Sequence, residues 1–194
     1  MNQAAVSPAL PLTDAPARRS IARRVLAIVL GSLFVAVCAH VSIPLWFTPV
    51  PLTLQPFAVL LLGLLLSPSA AAGALLLYLA EGAAGLPVFT PGTVGLLHLF
   101  GPTGGYLLSY PFVAALIAWL RRRIGNGGFA SSLAAAATGD AVILLSGAAW
   151  LGVLTHQSPA TTFTLAVLPF LPGEILKIAA AAATATSLRR FRRS

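Results

Sequence analysis

The sequence predicts an all-α integral membrane protein with six transmembrane helices, and three observations lead to this fold class. Only 8% of the 194 residues are charged, whereas a soluble domain carries roughly 25% charged residues. The hydrophobic share is 58% and the mean hydropathy is +0.91. No charged residue occurs in 25–80 or in 82–120, and a spanning helix needs about 20 mostly apolar residues. These runs predict several spans joined by short turns and exclude a water-soluble enzyme.

The arginines indicate topology rather than a nucleic-acid partner, although the net charge is +8. Clusters at the ends of apolar runs are typical of the positive-inside rule, because arginine is retained on the cytoplasmic side during insertion. We therefore expect each cluster to be cytoplasmic. The clusters are Arg18, Arg19, Arg23 and Arg24; Arg121, Arg122 and Arg123; and Arg189, Arg190, Arg192 and Arg193.

The chain divides into residues 1–17, predicted as a disordered tail rich in Ala, Pro and Ser, and residues 18–194, a single membrane domain. The first apolar run leads into Pro44 without a small-residue cleavage site, so it is predicted to be a retained span and not a signal peptide. Cys38 is the single cysteine, which excludes a disulfide framework and a cysteine metal site. The six spans are predicted at about 21–40, 52–66, 70–85, 104–120, 133–154 and 172–188.

Six crossings place both termini and the central arginine triplet on the cytoplasmic side. Span 2 would reach only about 22 Å, so a re-entrant hairpin of spans 2 and 3 is an alternative that preserves this topology. Three long connections rich in Pro, Gly and Thr, residues 41–54, 86–103 and 155–171, then lie together on the outer side. Irregular backbone at membrane depth is tolerated where it lines a cavity. We therefore expect an outward-facing pocket.

Ionisable residues inside spans are costly and indicate candidate sites. Glu174 and Lys177 are three residues apart, hence on one helix face. They follow the N-terminus of span 6, and a helix N-terminus favours an anionic ligand group. The alternative is an intrahelical ion pair at the membrane interface. Asp140 and Glu81 are further candidates that either face a ligand or pack against hydroxyl groups of other helices. His98, near a span end, is expected to be interfacial and not to bind ligand.

No enzymatic motif is convincing. Ser146 and Gly147 with His156 do not form a nucleophile elbow, and the sequence contains neither a His-Glu-x-x-His metal motif nor a P-loop. We expect no catalytic residue and no metal. Transport driven by ATP would therefore require another subunit.

Four motifs carry a family resemblance over about residues 32–180: 50–55 (Val-Pro-Leu-Thr-Leu-Gln), 85–89 (Gly-Leu-Pro-Val-Phe), 101–106 (Gly-Pro-Thr-Gly-Gly-Tyr) and 171–177 (Leu-Pro-Gly-Glu-Ile-Leu-Lys). In order and spacing they resemble BioY, the biotin-binding S component of energy-coupling-factor (ECF) transporters. The resemblance implies an S-component-like fold of six helices, biotin as the transported ligand without a cofactor, and a location in the inner (plasma) membrane. It also implies a transmembrane coupling subunit and two ATPases as partners. The alternatives are an S component for another small vitamin and a structural membrane subunit without a ligand.

The resemblance and the polar residues together give the candidate substrate-binding residues. The family usually has Asp where this chain has Glu174. Thr93 and Leu107 stand where some members have Asn and Arg, so those two contacts are not carried over, although Thr93 remains a candidate at its position. The full set of candidates is Glu174, Lys177, Tyr106, Gly105, Thr93, Gln55 and Asp140.

Two further surfaces are predicted. The proline-rich first connection is expected to act as a lid that excludes water, and the alternative is a static anchor at the membrane interface; its residues are Trp46, Phe47, Pro49 and Val50. S components are similar to one another in carrying small residues four apart on span 1, a spacing that lets helices approach closely. The resemblance therefore implies that span 1 packs against the coupling subunit. The alternative is packing within the chain, and the residues are Ala27, Gly31, Ser32 and Ala36.

Overall fold

The computed structural model describes residues 15–91, 95–125 and 128–191, and these ranges are mostly helical. Eight helices and one short antiparallel hairpin occur in them. In chain order the elements are α1 (Ala15–His40), β1 (Ser42–Ile43), β2 (Leu52–Thr53), α2 (Gln55–Leu65), α3 (Pro68–Ala83), α4 (Leu96–Leu99), α5 (Gly104–Ile124), α6 (Phe129–Thr155), α7 (Pro159–Ala166) and α8 (Leu171–Phe191).

Each predicted span coincides with one of the six helices α1, α2, α3, α5, α6 and α8. Helix α1 begins at Ala15, inside the stretch predicted as a tail; residues 1–14 of that tail lie outside the described ranges. Within the described part of the chain, Ser20–His40 and Phe129–Thr155 are long and apolar enough to cross a membrane. Helices α7 and α8, bent by 53°, give a third crossing if they form one broken span. The helices thus match the prediction, while six complete crossings are not established.

Helix α2 forms the centre of the bundle. It contacts α1, α3, α5, α6 and α8, and nearly all of its side chains are buried. Its 11 residues extend only about 16 Å, far less than a bilayer core of about 30 Å. A Cβ atom at Gly63 would lie 2.8 Å from Ile117 Cβ, so this glycine allows α2 and α5 to approach closely. The short second span is therefore a core helix, packed on all sides by protein.

The outer connections contain more regular structure than the sequence predicted. In the first connection, Ser42 pairs with Thr53 and Ile43 with Leu52. In the third, Ser158 caps helix α7 by accepting a hydrogen bond from the Thr161 amide, an arrangement that favours a helix start. Short helix α4 lies in the second connection. These three segments close one end of the bundle.

Candidate functional site

A cavity lies at that end, between the outer connections and helices α2, α5, α6 and α8. Its wall is mostly apolar and contains a few hydroxyl, amide, imidazole and carboxyl groups, which is the usual composition of a small-molecule site. The lining residues are Val50, Pro51, Thr53, Gln55, Pro56, Thr90, His98, Thr103, Tyr106, Leu107, Tyr110, Ile143, Leu144, Phe170 and Glu174.

Gln55, a predicted binding residue, connects four parts of the structure. Its Nε2 donates to the Tyr78 hydroxyl at 2.6 Å. Its Oε1 accepts from the hydroxyls of Thr53 at 3.2 Å and Thr90 at 3.4 Å. Thr53 belongs to the first connection and Thr90 to the second, so the amide of Gln55 joins both connections to α2 and α3. A buried amide satisfied in this way is held in one orientation.

Tyr106, also predicted, lines the cavity from the first turn of α5. Its hydroxyl donates to the Ala166 carbonyl at 2.6 Å, which links the end of α7 to the start of α5. The ring fits against α6 because residue 147 is glycine: a Cβ there would lie 2.1 Å from Tyr106 Cζ. Helix packing at Gly147 therefore determines where this aromatic wall stands.

Glu174 lies in the first turn of α8 and is 3% exposed. Its Oε1 accepts a hydrogen bond from Lys177 Nζ at 2.7 Å, whereas its Oε2 is buried without a hydrogen-bond partner among the described residues. Asp140 of α6 interacts electrostatically with both residues, and its Oδ1 is likewise buried and unpaired in the described structure. Of these three, Glu174 lines the cavity. Glu174 and Lys177 therefore form the intrahelical ion pair of the alternative interpretation, but the pair is buried and Glu174 also lines the cavity.

The predicted lid residues separate into two groups. Val50 is buried and lines the cavity. Trp46, Phe47 and Pro49 are exposed and outside its wall, and Trp46 packs edge-to-face on Phe47 at 5.3 Å. The Thr48 hydroxyl donates to the Leu165 carbonyl at 2.9 Å, which joins the first connection to the third.

Besides Lys177 and Asp140, two more predicted binding residues are not placed in the cavity wall. Gly105 faces α6, where an added Cβ would lie 2.2 Å from Trp150 Cβ and 2.6 Å from the Ser146 carbonyl oxygen. Its role in this structure is close helix packing. Thr93 lies outside the described residues.

The small residues of α1 mostly face the interior of the chain. A Cβ at Gly31 would lie 2.9 Å from Ala74 Cβ of α3. Ser32 is fully buried and its hydroxyl donates to Glu81 Oε2. Ala36 is buried too, and Ala27 is half-buried. Packing within the chain, the alternative to partner packing, therefore accounts for Gly31, Ser32 and Ala36, and Glu81 packs against a hydroxyl of another helix.

Sequence reasoning missed several wall residues. Nothing in the sequence distinguishes the following wall residues from other hydroxyl or aromatic residues: Thr53, Thr90, Tyr110 and Phe170. His98 was expected to be interfacial, but it is 8% exposed and lines the cavity. A histidine in an otherwise apolar run just before Gly-Pro-Thr-Gly-Gly-Tyr was the available signal.

The chain is similar to a protein family, to several relatives in it and to a solved structure. A model of the BioY family matches residues 6–194. The probable biotin transporter BioY of Pyrococcus horikoshii is 41% identical over 163 residues, which cover 82% of this chain and 94% of that protein. Biotin transporter BioY2 of Lactococcus lactis is 37% identical over 150 residues, covering 77% and 81%. The crystal structure of the S-component for biotin from an ECF-type ABC transporter superposes with a TM-score of 0.82 at 24% identity, covering 93% and 95%. The last comparison establishes a shared fold.

Proposed function

This chain belongs to the BioY family, and we propose that it is the membrane-embedded S component that captures biotin for an ECF-type vitamin transporter. The observation that carries the proposal is the cavity beneath the outer connections. It combines an apolar wall with a small number of fixed polar groups, as a ligand with an apolar body and polar ends requires. The assigned role is ligand capture, not catalysis.

Glu174 is the proposed anchor for the ureido ring of biotin. The ring carries N–H donors, and Glu174 Oε2 is a buried acceptor without a partner in the described structure. Leaving such an acceptor unpaired costs about 1–3 kcal/mol, which a bound donor would recover. Lys177 already donates to Oε1, so its role is to neutralise and hold Glu174. Asp140 of α6 places a second carboxyl group close to the Glu174 carboxyl.

We assign the lid to Val50 and the neighbouring Pro51, because both residues line the cavity. Trp46 is 95% exposed, and tryptophan is enriched at membrane–water boundaries. We assign Trp46 and Phe47 to an interfacial anchor at the tip of the first connection. Opening of this connection would admit biotin from the outer side.

The proposed topology has six membrane helices, both termini in the cytoplasm, and the protein in the plasma membrane. Arg189 of α8 donates to the Leu64 carbonyl at the end of α2, which places both helix ends opposite the cavity. To test this, Cys38 is replaced by Ala, and single cysteines are introduced as Ala130→Cys or Gln157→Cys. An impermeant thiol reagent added to intact cells is expected to label position 157 and not position 130; the reverse pattern would contradict the topology.

The proposed partners are an ECF coupling subunit and its ATPases, because this chain contains no P-loop of its own. Because Gly31 and Ser32 are buried within the chain, we move the proposed contact to the exposed apolar face of α1. Exposed side chains on this face are Val25, Val29 and Leu33. Co-purification of tagged chain with candidate coupling subunits tests the assignment, and Val29→Arg should abolish recovery while preserving biotin binding.

Equilibrium binding of radiolabelled biotin to the purified chain tests the ligand directly. We expect saturable binding below micromolar biotin, displaced by unlabelled biotin and not by unrelated vitamins. Equal displacement by another vitamin would assign the chain to that ligand instead. No saturable binding at micromolar biotin in a folded sample would leave a structural subunit as the better description.

A further inference from the structure

A groove on the surface of the bundle lies between α6 and α7, lined by residues from 145–153 and 157–167. It shares no lining residue with the cavity. Its volume is about 440 Å³, within the range of roughly 300–1,000 Å³ that is usual for small-molecule sites. None of the described residues that line it is charged. Leu145, Val153 and Phe163 of its lining are exposed, so the groove is open to whatever surrounds the bundle.

Thr162 places a polar group in this apolar groove. The residue is 6% exposed, and its hydroxyl oxygen is buried without a hydrogen-bond partner among the described residues. Three other helical threonines, Thr155, Thr164 and Thr186, each donate to the carbonyl four residues earlier. A Cβ at Gly152 of α6 would lie 3.2 Å from the Thr162 hydroxyl oxygen. Because an unpaired buried hydroxyl is costly, an acceptor that occupied the groove would be stabilised there.

The depth of the groove matches the outer half of a bilayer. Helix α6 has 27 residues and is apolar enough to cross a membrane. Its length is about 40 Å, close to the roughly 40–45 Å of a hydrocarbon core with both interfacial regions. From the end of α6 at Thr155, Gly152 lies about 4.5 Å and Leu145 about 15 Å along the helix. The Thr162 hydroxyl, beside Gly152, is thus at the depth where acyl chains meet ester groups, while Leu145 lies in the hydrocarbon.

We propose that this groove binds a phospholipid of the surrounding bilayer. The ester carbonyl of one acyl chain accepts a hydrogen bond from the Thr162 hydroxyl, and the chain lies along Ala148 and Leu145. A phospholipid supplies both features that the groove requires, an acceptor near the interface and an apolar chain below it. Its headgroup is not selected by charge, because the described lining residues are uncharged. The proposal does not depend on what the cavity binds.

A bound lipid has a consequence for α7. The end of this helix is tied to other elements by two hydrogen bonds. The Tyr106 hydroxyl donates to the Ala166 carbonyl, and the Thr48 hydroxyl donates to the Leu165 carbonyl. A ligand that binds only the closed arrangement of α6 and α7 stabilises that arrangement by mass action. Amide hydrogen exchange in α7 should therefore slow when the lipid binds.

The experiment titrates the purified full chain with phosphatidylcholine and with its diether analogue, which has the same headgroup and chains but lacks the ester carbonyls. Native mass spectrometry counts the lipids retained on the chain at each concentration. We expect the ester lipid to bind roughly 2- to 12-fold more tightly than the diether, the range for one neutral hydrogen bond. Equal affinities for the two lipids, or no lipid retained, would overturn the proposal.

Variants sharpen the test. Thr162→Val removes the donor, so the preference for the ester lipid should disappear while the affinity for the diether stays unchanged, which also reports that the variant is folded. Thr164→Val is the matched control and should keep the preference, because the Thr164 hydroxyl donates to the Ala160 carbonyl and lies outside the groove. Ala149→Phe obstructs the exposed side of the groove and should weaken binding of both lipids.

Two outcomes with these variants would contradict the assignment. A preference for the ester lipid that persists in Thr162→Val would refute the role of its hydroxyl. A second copy of the chain retained in place of lipid, and lost in Ala149→Phe, would assign the groove to self-association instead.

Discussion

Two acidic groups in this bundle look alike in sequence and differ in structure. Glu81 near the end of α3 accepts a hydrogen bond from Ser32 of α1. Glu174 at the start of α8 is paired with Lys177, lies near Asp140 and keeps one buried oxygen without a partner in the described structure. Both carboxyls interrupt apolar runs, yet only Glu174 lines the cavity.

The comparison teaches that burial of an ionisable group does not by itself identify a ligand site. Glu81 is half-buried and tied to a neighbouring helix, so its role is to hold α1 on α3. Glu174 is more deeply buried and incompletely satisfied. Because a buried polar atom without a partner is costly, the unsatisfied carboxyl is the one that a ligand can stabilise.

The largest expected effect is on stability at the Glu174 cluster. Lys177→Met removes the cation paired with the buried Glu174 carboxyl, and breaking a buried pair costs about 3–5 kcal/mol. The unfolding free energy in a denaturant titration should fall by that amount. The double variant Glu174→Gln with Lys177→Met should recover part of the loss. A single variant as stable as the unaltered chain would show that the pair is not electrostatically coupled.

A smaller effect is expected at Glu81. Ser32→Ala leaves the carboxylate without its hydroxyl donor, which should lower the unfolding free energy by about 1–3 kcal/mol. Biotin affinity should stay within about twofold of the parent, because Ser32 and Glu81 lie outside the cavity wall. A tenfold loss of biotin affinity in folded Ser32→Ala would contradict the assignment of Glu81 to helix packing and of Glu174 to the ligand site.

The smallest effect concerns the lid. Thr48→Val removes the hydrogen bond to the Leu165 carbonyl, worth about 0.5–1.5 kcal/mol net. Amide hydrogen exchange in 45–54 should accelerate by roughly 2- to 12-fold and should slow when biotin is added. Thr164→Val is the control, since its hydroxyl bonds to Ala160 within α7. Exchange unaffected by both Thr48→Val and saturating biotin would favour a static anchor.

Much of the fold was predictable because apolar runs and arginine clusters report membrane helices directly. The α2 helix was found, but its position at the centre depends on contacts such as Gly63 against Ile117 that no local pattern encodes. Helix α7 was missed because its proline and threonines are typical of a connection, although Ser158 and Pro159 form a helix start.

The candidate site was predictable only in part. Glu174, Gln55 and Tyr106 stand out as polar residues in recognisable motifs, and all three line the cavity. Gly105 belongs to the same motif as Tyr106, yet it points to α6, because successive helical residues face different directions. His98 and Thr90 enter the wall through the tertiary packing of a connection, which the sequence does not reveal.

The most direct test is a biotin titration of the paired variants Glu174→Gln and Glu81→Gln beside the unaltered chain. Each substitution removes one carboxylate and keeps the side-chain shape, so the two variants differ in location alone. We expect Glu174→Gln to weaken binding roughly 10- to 150-fold and Glu81→Gln to remain within about twofold. Equal affinities for both folded variants would contradict the assignment of Glu174 to the biotin site.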